Sequence, residues 1–496
     1  MHATLQSHIQ EPNINKALIL LTSLTLSACA LPSSGTNTSP FKGLPFFSQF
    51  QNTPETYTLE AYNQNAYKWW ENYNDPTLNN LISTLLNQNL DLKIAAERLL
   101  QAQEQINITQ SSLYPTISAD AGASRQANPT NTNGLLPSSG TNYQTNQNLG
   151  LSAAWQIDLF GQIRNQSNAN QSTYLAAQST RDALTQSLIA QLITTRLSIA
   201  NLNAEKDLIN QTIQSREKTL AIIERRYETG LENSSALDVR LAREALASAK
   251  SQLPRLNAAL TEATYTLNIL LGEMPNATEN NTQSDFPILP PPDRLILPPP
   301  VALLDLRPDL RADAYRLNAA KYEINVALTF LYPNLALSAG YGFQSDDLGD
   351  LISTEKLAWN LLSNLTQPLF EGGRLRANIR LKESIAREMA ATYSKNILTA
   401  TQEVENALQT EENARQQLDA LTKTNNEAQK AYDLANKRYE RGLVTITDLL
   451  DIERRILTQK QEILNVQQSI WNARITLHLA LGGQWITPTA TPNETL

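Results

Sequence analysis

Hydrophobic residues change their spacing in a fixed order along the chain. From Leu78 to Ser112 they recur three and four positions apart, which predicts a helix, and Pro115 ends it. Two alternating segments follow, "TISADAGA" from Thr116 and "NLGLSAAWQIDLF" from Asn148, with a loop rich in turn residues between them. Each predicts a strand of about ten residues with one apolar face, which is long enough to cross a bilayer when tilted.

The same order of patterns appears a second time. Apolar residues alternate again from Leu335 to Phe343 and from Trp359 to Leu365. Short motifs also repeat, at offsets of 218, 210 and 212 residues: "LYP" from Leu113 and Leu331, "LF" from Leu159 and Leu369, and "RYETGL" or "RYERGL" from Arg226 and Arg438. The chain therefore contains one structural unit of about 210 residues twice, far longer than a solenoid repeat.

Each unit also contains a very long helical segment. Gln162 to Glu228 and Arg374 to Glu440 have 67 residues each, without proline or glycine. A helix of that length measures about 100 Å. Segments of 35 residues follow, Ala236 to Leu270 and Asp448 to Gly482. We therefore expect two helical hairpins, with the repeated hexapeptides at their turns.

Composition narrows the possible chemistry. The 496-residue chain has a net charge of -8, which argues against nucleic acid as a partner. It has three histidines and one cysteine, and His478 is expected to be a packed or solvated imidazole rather than a metal ligand. We expect no catalytic residue, metal or cofactor, so an enzyme is the least supported class.

The single cysteine follows an apolar run near the N-terminus. The run from Ala17 to Ala28 has 12 residues, too few to span a bilayer but typical of a signal peptide, and Lys16 precedes it. The sequence "LSAC", ending at Cys29, resembles a bacterial lipobox, in which the cysteine becomes the lipid attachment site. We expect a signal peptide over 1–28 and a lipidated tether over 29–68. An ordinary signal peptide with an incidental cysteine is the alternative.

Strands that cross a membrane constrain the assembly. Every backbone amide in lipid must be paired, so four strands must close into a barrel. Two chains would give eight strands, whose side chains fill the interior, whereas three chains would give twelve and leave a lumen. We expect a homotrimer whose Gly, Ser, Gln and Asp face inward and whose Leu, Ala and aromatic residues face lipid. A soluble sheet with one buried face is the alternative.

These features resemble the outer membrane factor family, the TolC-like efflux proteins, and in particular the NodT-type outer membrane efflux lipoproteins. The resemblance rests on "WWENYNDPTLNNLI" from Trp69, "RPDLRAD" from Arg307 and "LALGGQW" from Leu479. It implies a mainly α fold with membrane β: a homotrimer with a 12-stranded outer-membrane β-barrel continuous with a long periplasmic α-helical barrel. Its expected parts are a first repeat (69–275), a proline-rich linker (276–304), a second repeat (305–485) and a C-terminal tail (486–496).

The function that this resemblance implies is export of small molecules. The trimer would be the exit duct of a tripartite system and would dock to a periplasmic membrane-fusion adaptor and an inner-membrane pump of the RND type. The alternative is a periplasmic coiled-coil adaptor or scaffold lipoprotein without its own pore. Such a protein would share the helical hairpins but lack four strands of bilayer length and the duplication.

The resemblance also assigns residues to two surfaces. The adaptor-facing tips comprise Tyr227, Gly230, Leu231, Tyr439, Gly442 and Leu443. The two tip glycines have an alternative interpretation as left-handed helix ends. Asp448 and Asp451 match acidic rings at the periplasmic aperture, and their spacing of three places both on one helix face. Alternatively, these carboxylates only interact with the positive end of the helix dipole.

Overall fold

The computed structural model describes residues 50–51, 68–73, 75–129, 141–230, 235–276, 300–441 and 443–483. The predicted signal peptide, Cys29, Leu231, Gly442 and most of the tether and linker lie outside these residues. The helices and strands follow in chain order: α1 (Pro76–Gln88), α2 (Leu90–Ser111), β1 (Thr116–Pro129), β2 (Thr141–Ile157), α3 (Gln162–Glu228), α4 (Ala236–Lys250), α5 (Gln252–Leu270), α6 (Leu303–Leu306), α7 (Pro308–Thr329), β3 (Asn334–Ser345), β4 (Leu357–Thr366), α8 (Arg374–Glu440) and α9 (Ile446–Ala480). Short 3-10 helices cover Trp69–Tyr73, Pro300–Ala302 and Thr354–Lys356.

The long helices have the predicted bounds. Helices α3 and α8 contain 67 residues each, and α9 contains 35 but begins two residues earlier than predicted. The predicted helix from Leu78 to Ser112 is instead two helices, α1 and α2, which meet at Asn89. The Asn89 side chain accepts hydrogen bonds from the first turn of α2 and donates one to the carbonyl of Leu270, at 2.9 Å. The cap on α2 and this tertiary contact together account for the break at Asn89. The predicted helix from Ala236 to Leu270 is likewise divided, at Ser251, into α4 and α5.

Helix α3 lies at the centre of the packing. It contacts α2 and α7 along its first part and α4, α5 and α9 beyond, while α8 packs against α7 and α9. The largest hydrophobic cluster surrounds the middle of α3, from Leu188 to Ala200, and includes Trp69, Trp70 and Trp471. None of the helices in the described ranges combines the length and the apolarity needed to cross a bilayer.

The short 3-10 helix at Trp69 explains the environment of His478. The imidazole stacks on the Trp69 ring, with 4.5 Å between ring centroids. Burial, with a smaller contribution from the positive charge of Arg474, lowers the pKa of His478 to about 3. His478 is therefore a packed, neutral imidazole in the core.

The strands form one antiparallel sheet in the order β1-β2-β3-β4. They have 14, 17, 12 and 10 residues, so β1 and β2 are longer than the ten that we predicted. Both extend into the predicted polar loop, because the pairing of Arg125 with Thr145 and of Ala127 with Tyr143 continues the ladder. At its centre, β2 pairs with β3 through Gly150 and Gly342, and a side chain on Gly342 would overlap the backbone of Gly150.

Candidate functional site: the sheet and the hairpin tips

One face of the sheet is apolar and exposed. Residues that pair across the strands share a face, so Leu151, Tyr341 and Trp359 form one row and Leu335 and Leu365 belong to another. The exposed fraction of Trp359 is 74% and that of Leu365 is 64%. From Leu149 to Ile157 the apolar rows cover eight residue steps, or about 26 Å along the strand. At the tilt of about 35–45° that strands have in outer-membrane barrels, this length gives a height of about 18–21 Å, slightly less than their apolar band of about 25 Å.

The opposite face of the sheet is polar and rich in small residues. Asp120 accepts a hydrogen bond from the Ser152 hydroxyl, and Asn360 and Gln344 lie on the same side. Because Gly150 and Gly342 have no side chains, this face has a shallow groove of about 410 Å³. A face of this composition suits contact with water, as the sequence predicted for the inner side of a barrel.

The first hairpin tip lies at the end of α3. Gly230 follows that helix with φ +68°, and the space where its Cβ would stand is open. It is therefore a left-handed helix end, which glycine adopts without steric cost. Tyr227, one turn earlier, is about half exposed. The contact of Tyr227 and Gly230 with an adaptor stays a prediction.

The two return helices begin in the same way. Ser235 and Asp238 form a capping box at the start of α4, and Thr445 and Asp448 form one at the start of α9. In each box the Ser or Thr hydroxyl accepts a hydrogen bond from the backbone N–H of the Asp three residues later. The Asp carboxylate in turn accepts one from the backbone N–H of the Ser or Thr. Leu443, just before the second box, is 71% exposed. The duplication therefore extends to the hydrogen bonds that start each return helix.

The predicted aperture residues have local partners. Asp448 accepts from the Thr445 backbone N–H at 3.3 Å and from the Thr445 hydroxyl at 2.6 Å, so it caps the start of α9. The Asp451 carboxylate forms ion pairs with Arg454 and Arg455, at 2.6 and 3.1 Å. Both carboxylates remain solvent-accessible near the tip. Their arrangement in rings around an aperture stays a prediction.

An arginine joins the two tips, and sequence reasoning missed this contact. Arg226 Nη1 donates to the carbonyl of Tyr439 at 3.1 Å, and its guanidinium lies 5.2 Å from the centre of the Tyr439 ring. Burial raises the pKa of the Tyr439 phenol, whereas the Arg226 charge acts in the opposite direction. Beneath this pair, Ile223 and Val239 of the first hairpin share a hydrophobic cluster with Leu449 of the second. Arg226 and Tyr439 both belong to the repeated hexapeptides, and this repetition was the signal in the sequence that could have indicated the contact.

A buried ion cluster at the level of the core was also not foreseen. Arg474 and Glu411 are almost fully buried, and Arg474 Nε donates to Glu411 at 2.9 Å. Arg415 adds a second ion pair to the same carboxylate, at 2.8 Å. The cluster links α8 to α9 and contains no histidine or cysteine. Across the described ranges, no three His, Cys, Asp or Glu side chains come together as a metal site.

Comparison with known proteins identifies the fold. The sequence profile of the family described as outer membrane efflux protein matches residues 81–273 and 300–483, which is most of the chain. The chain belongs to this family. It is 30% identical over 416 residues to the solvent efflux pump outer membrane protein SrpC of Pseudomonas putida, which covers 84% of this chain and 87% of SrpC. It is 27% identical over 427 residues to the probable outer membrane lipoprotein SilC of Salmonella typhimurium, which covers 85% of this chain and 90% of SilC.

A solved structure agrees with this family membership. The outer-membrane channel OprN superposes with a TM-score of 0.78 and 26% identity, over 89% of this chain and 97% of that one. The mainly helical fold with one small sheet is thus that of the family's outer-membrane channels, as the resemblance implied. Relatives of this chain are channel proteins rather than enzymes.

Proposed function

We propose that this chain is the outer-membrane duct of a tripartite efflux system and that three copies form the pore. The exposed apolar face of the four-stranded sheet carries this proposal. Within the described residues, β1 and β4 each have one edge without a partner strand. Open edges in lipid would leave backbone groups without hydrogen bonds. Pairing β4 of each copy with β1 of the next closes twelve strands around a lumen.

The helices supply the periplasmic part of the duct. At about 100 Å each, α3 and α8 reach far from the sheet, and the hairpin tips lie at their distant ends. Exposed Tyr227 and Leu443 are suited to contact a periplasmic adaptor, which would link the duct to an RND-type inner-membrane pump. The cargo class is small molecules, as the description of SrpC as part of a solvent efflux pump suggests.

The N-terminus would add a second attachment to the outer membrane. The lipobox-like sequence before Cys29 supports acylation of that residue. The description of the related SilC as a probable lipoprotein points the same way. Acyl chains at Cys29 would hold each subunit at the membrane before its strands insert.

The alternative, a periplasmic scaffold without a pore, makes a different prediction in planar bilayers. The purified protein should form conducting pores, and the conductance should follow the fraction that native mass spectrometry identifies as trimer. Substitution on adjacent residues of β4 tests which face meets lipid. Leu361→Arg places a charge on the apolar face, at a cost of about 2–4 kcal/mol near the bilayer midplane, and should prevent insertion.

The matched control is Asn360→Arg, on the polar face of the same strand. It should insert normally and reduce the current of cations, because it adds a positive charge to the lumen. Equal insertion of both variants would mean that the apolar face does not meet lipid. A trimer that never conducts would favour the scaffold.

A further inference from the structure

The sheet meets the helices at two repeated motifs, "LYP" and "LF". One contact at this junction occurs inside each repeat. Trp155 Nε1 donates to the carbonyl of Leu113 at 2.9 Å in the first repeat, and Gln367 Nε2 donates to the carbonyl of Leu331 at 3.1 Å in the second. Trp155 lies in β2 and Gln367 directly follows β4, so each repeat ties this part of its chain to its own "LYP" turn. The two donors are not counterparts, since the 210-residue offset of "LF" places Leu365 at the position of Trp155, but both bonds end on the leucine of "LYP".

A different contact joins one repeat to the next. Phe160, from "LF" of the first repeat, stacks on Tyr332, from "LYP" of the second. The ring centroids are 4.8 Å apart and the ring planes differ by 16°. This stack lies beside the pairing of β2 with β3, the strands at which the repeats meet. It occurs once because a chain with two repeats has one such boundary.

The corresponding residues at the other ends of the repeats are exposed. Phe370, from "LF" of the second repeat, is 90% exposed, and Tyr114, from "LYP" of the first, is 70% exposed. We propose that Phe370 of one subunit stacks on Tyr114 of the partner subunit, repeating the Phe160–Tyr332 stack across the subunit boundary. This inference rests on the trimeric assembly of the proposed function and names one side-chain contact across the subunit boundary. In a closed ring, each subunit's second repeat precedes its neighbour's first.

The duplication also predicts the strand register at this boundary. Within the chain, Leu151 of β2 pairs with Tyr341 of β3. The 210-residue offset of "LF" takes Leu151 to Leu361 of β4, and the 218-residue offset of "LYP" takes Tyr341 back to Ala123 of β1. The same pairing across the subunit boundary therefore places Leu361 opposite Ala123 of the partner subunit. Both lie on the apolar face, so the register keeps that face continuous around the barrel.

One local difference separates the two junctions. Two additional residues, Glu371 and Gly372, stand between Phe370 and the start of α8. The helices nevertheless begin alike, since Gly161 and Gly373 precede α3 and α8 with φ +77° and +86°. The insertion therefore lengthens the turn after Phe370 while the helix start is retained.

Cysteine crosslinking tests the stack directly. In a Cys29→Ser background, Tyr114→Cys with Phe370→Cys should react with a short bismaleimide to give covalent dimers and trimers on denaturing gels. Phe160→Cys with Tyr332→Cys is the matched control. It should take up one bridging reagent per chain, by mass spectrometry, without covalent oligomers. Each single variant should give no ladder.

The register has its own test in the same background. Leu361→Cys with Ala123→Cys should form an intersubunit disulfide on oxidation, because directly opposite residues in an antiparallel pair have Cα atoms close enough for that bond. Leu361→Cys with Ser124→Cys should not, because Ser124 faces the other way. Trimers that form without either crosslink would overturn the inference and leave the proposed duct intact. Phe370 would then contact lipid instead of the partner subunit. A protein that stays monomeric by native mass spectrometry would refute the proposed assembly itself.

Discussion

The contact between Arg226 and Tyr439 leads to a prediction about channel opening. Arg226 belongs to the first hairpin and Tyr439 to the second, so the pair holds the tips together in the described conformation. Arg226→Ala removes the charged hydrogen bond and the cation–π contact but leaves the hydrophobic cluster beneath them. The tips should then separate more readily, and the open fraction of channels should rise.

The structure sets the size of this effect. A cation–π contact at an exposed site contributes about 0.5–1 kcal/mol. A charged hydrogen bond contributes about 1.5–3 kcal/mol when buried, and less here because Arg226 is only partly buried. A combined coupling of about 1–2 kcal/mol corresponds to a shift of about 5- to 30-fold in the closed-to-open ratio.

Single-channel recording in planar bilayers measures this ratio. Arg225→Ala is the matched control, because Arg225 is the preceding residue, is exposed and carries the same charge. Tyr439→Leu, alone and combined with Arg226→Ala, completes a double-mutant cycle that isolates the cation–π contact, because leucine keeps the backbone carbonyl that accepts the Arg226 hydrogen bond. Equal open fractions for Arg226→Ala and Arg225→Ala would show that Arg226 does not hold the tips. Additive effects in the cycle would instead assign the coupling to the hydrogen bond with the Tyr439 carbonyl.

Four further predictions follow from other residues. Cys29→Ser should abolish incorporation of a labelled fatty acid, and label retained by the variant would exclude acylation at this position. Leu443→Asp should weaken crosslinking to the adaptor and reduce export while trimers persist, whereas normal crosslinking and export would remove this residue from the docking surface. Asp448→Asn with Asp451→Asn should lose block by multivalent cations and much of the cation preference in bilayer recordings, and unchanged block would leave these carboxylates with their capping and ion-pair roles alone. His478 is neutral in the folded state and has a pKa of about 3, below its usual 6.5, so protonation favours unfolding and the free energy of unfolding should fall as pH drops from about 6.5 towards 3. His478→Phe keeps the stack on Trp69 and should flatten this pH dependence in thermal melts. An unchanged pH dependence in the variant would assign the effect to other titratable groups.

The long helices were predictable because they depend on local properties. Nothing between Gln162 and Glu228 interrupts a helix, and a left-handed glycine stands near each end, Gly161 before it and Gly230 after it, so both ends have a local signal. The break at Asn89 was not predictable in this way. Asparagine is a preferred N-cap, but many asparagines in this chain lie inside helices, and Asn89 also donates to the carbonyl of Leu270, 181 residues away. A contact over that distance has no trace in the periodicity around Asn89.

The residues of the candidate site also differ in whether local sequence or long-range packing determines them. The capping box at Asp448 has a local signal, since Thr445 stands three residues before it. The pair of Arg226 with Tyr439 and that of Arg474 with Glu411 depend on how separate helices pack. An arginine on a long amphipathic helix usually faces water, so its type and spacing did not distinguish these residues from their solvated neighbours. The repeated hexapeptide marked the tip without showing which atoms meet there.

The pairing of Gly150 with Gly342 has a consequence for the divergence of the two repeats. Most neighbouring positions in a folded chain can change together, because a larger residue on one side is offset by a smaller one on the other. Here the backbones already meet without a side chain on either strand, and a methyl group on Gly342 would overlap Gly150. No smaller residue exists to compensate. A saturation scan should therefore find each of these two positions restricted to glycine by the other, although the two halves of the duplicated chain differ in sequence around them.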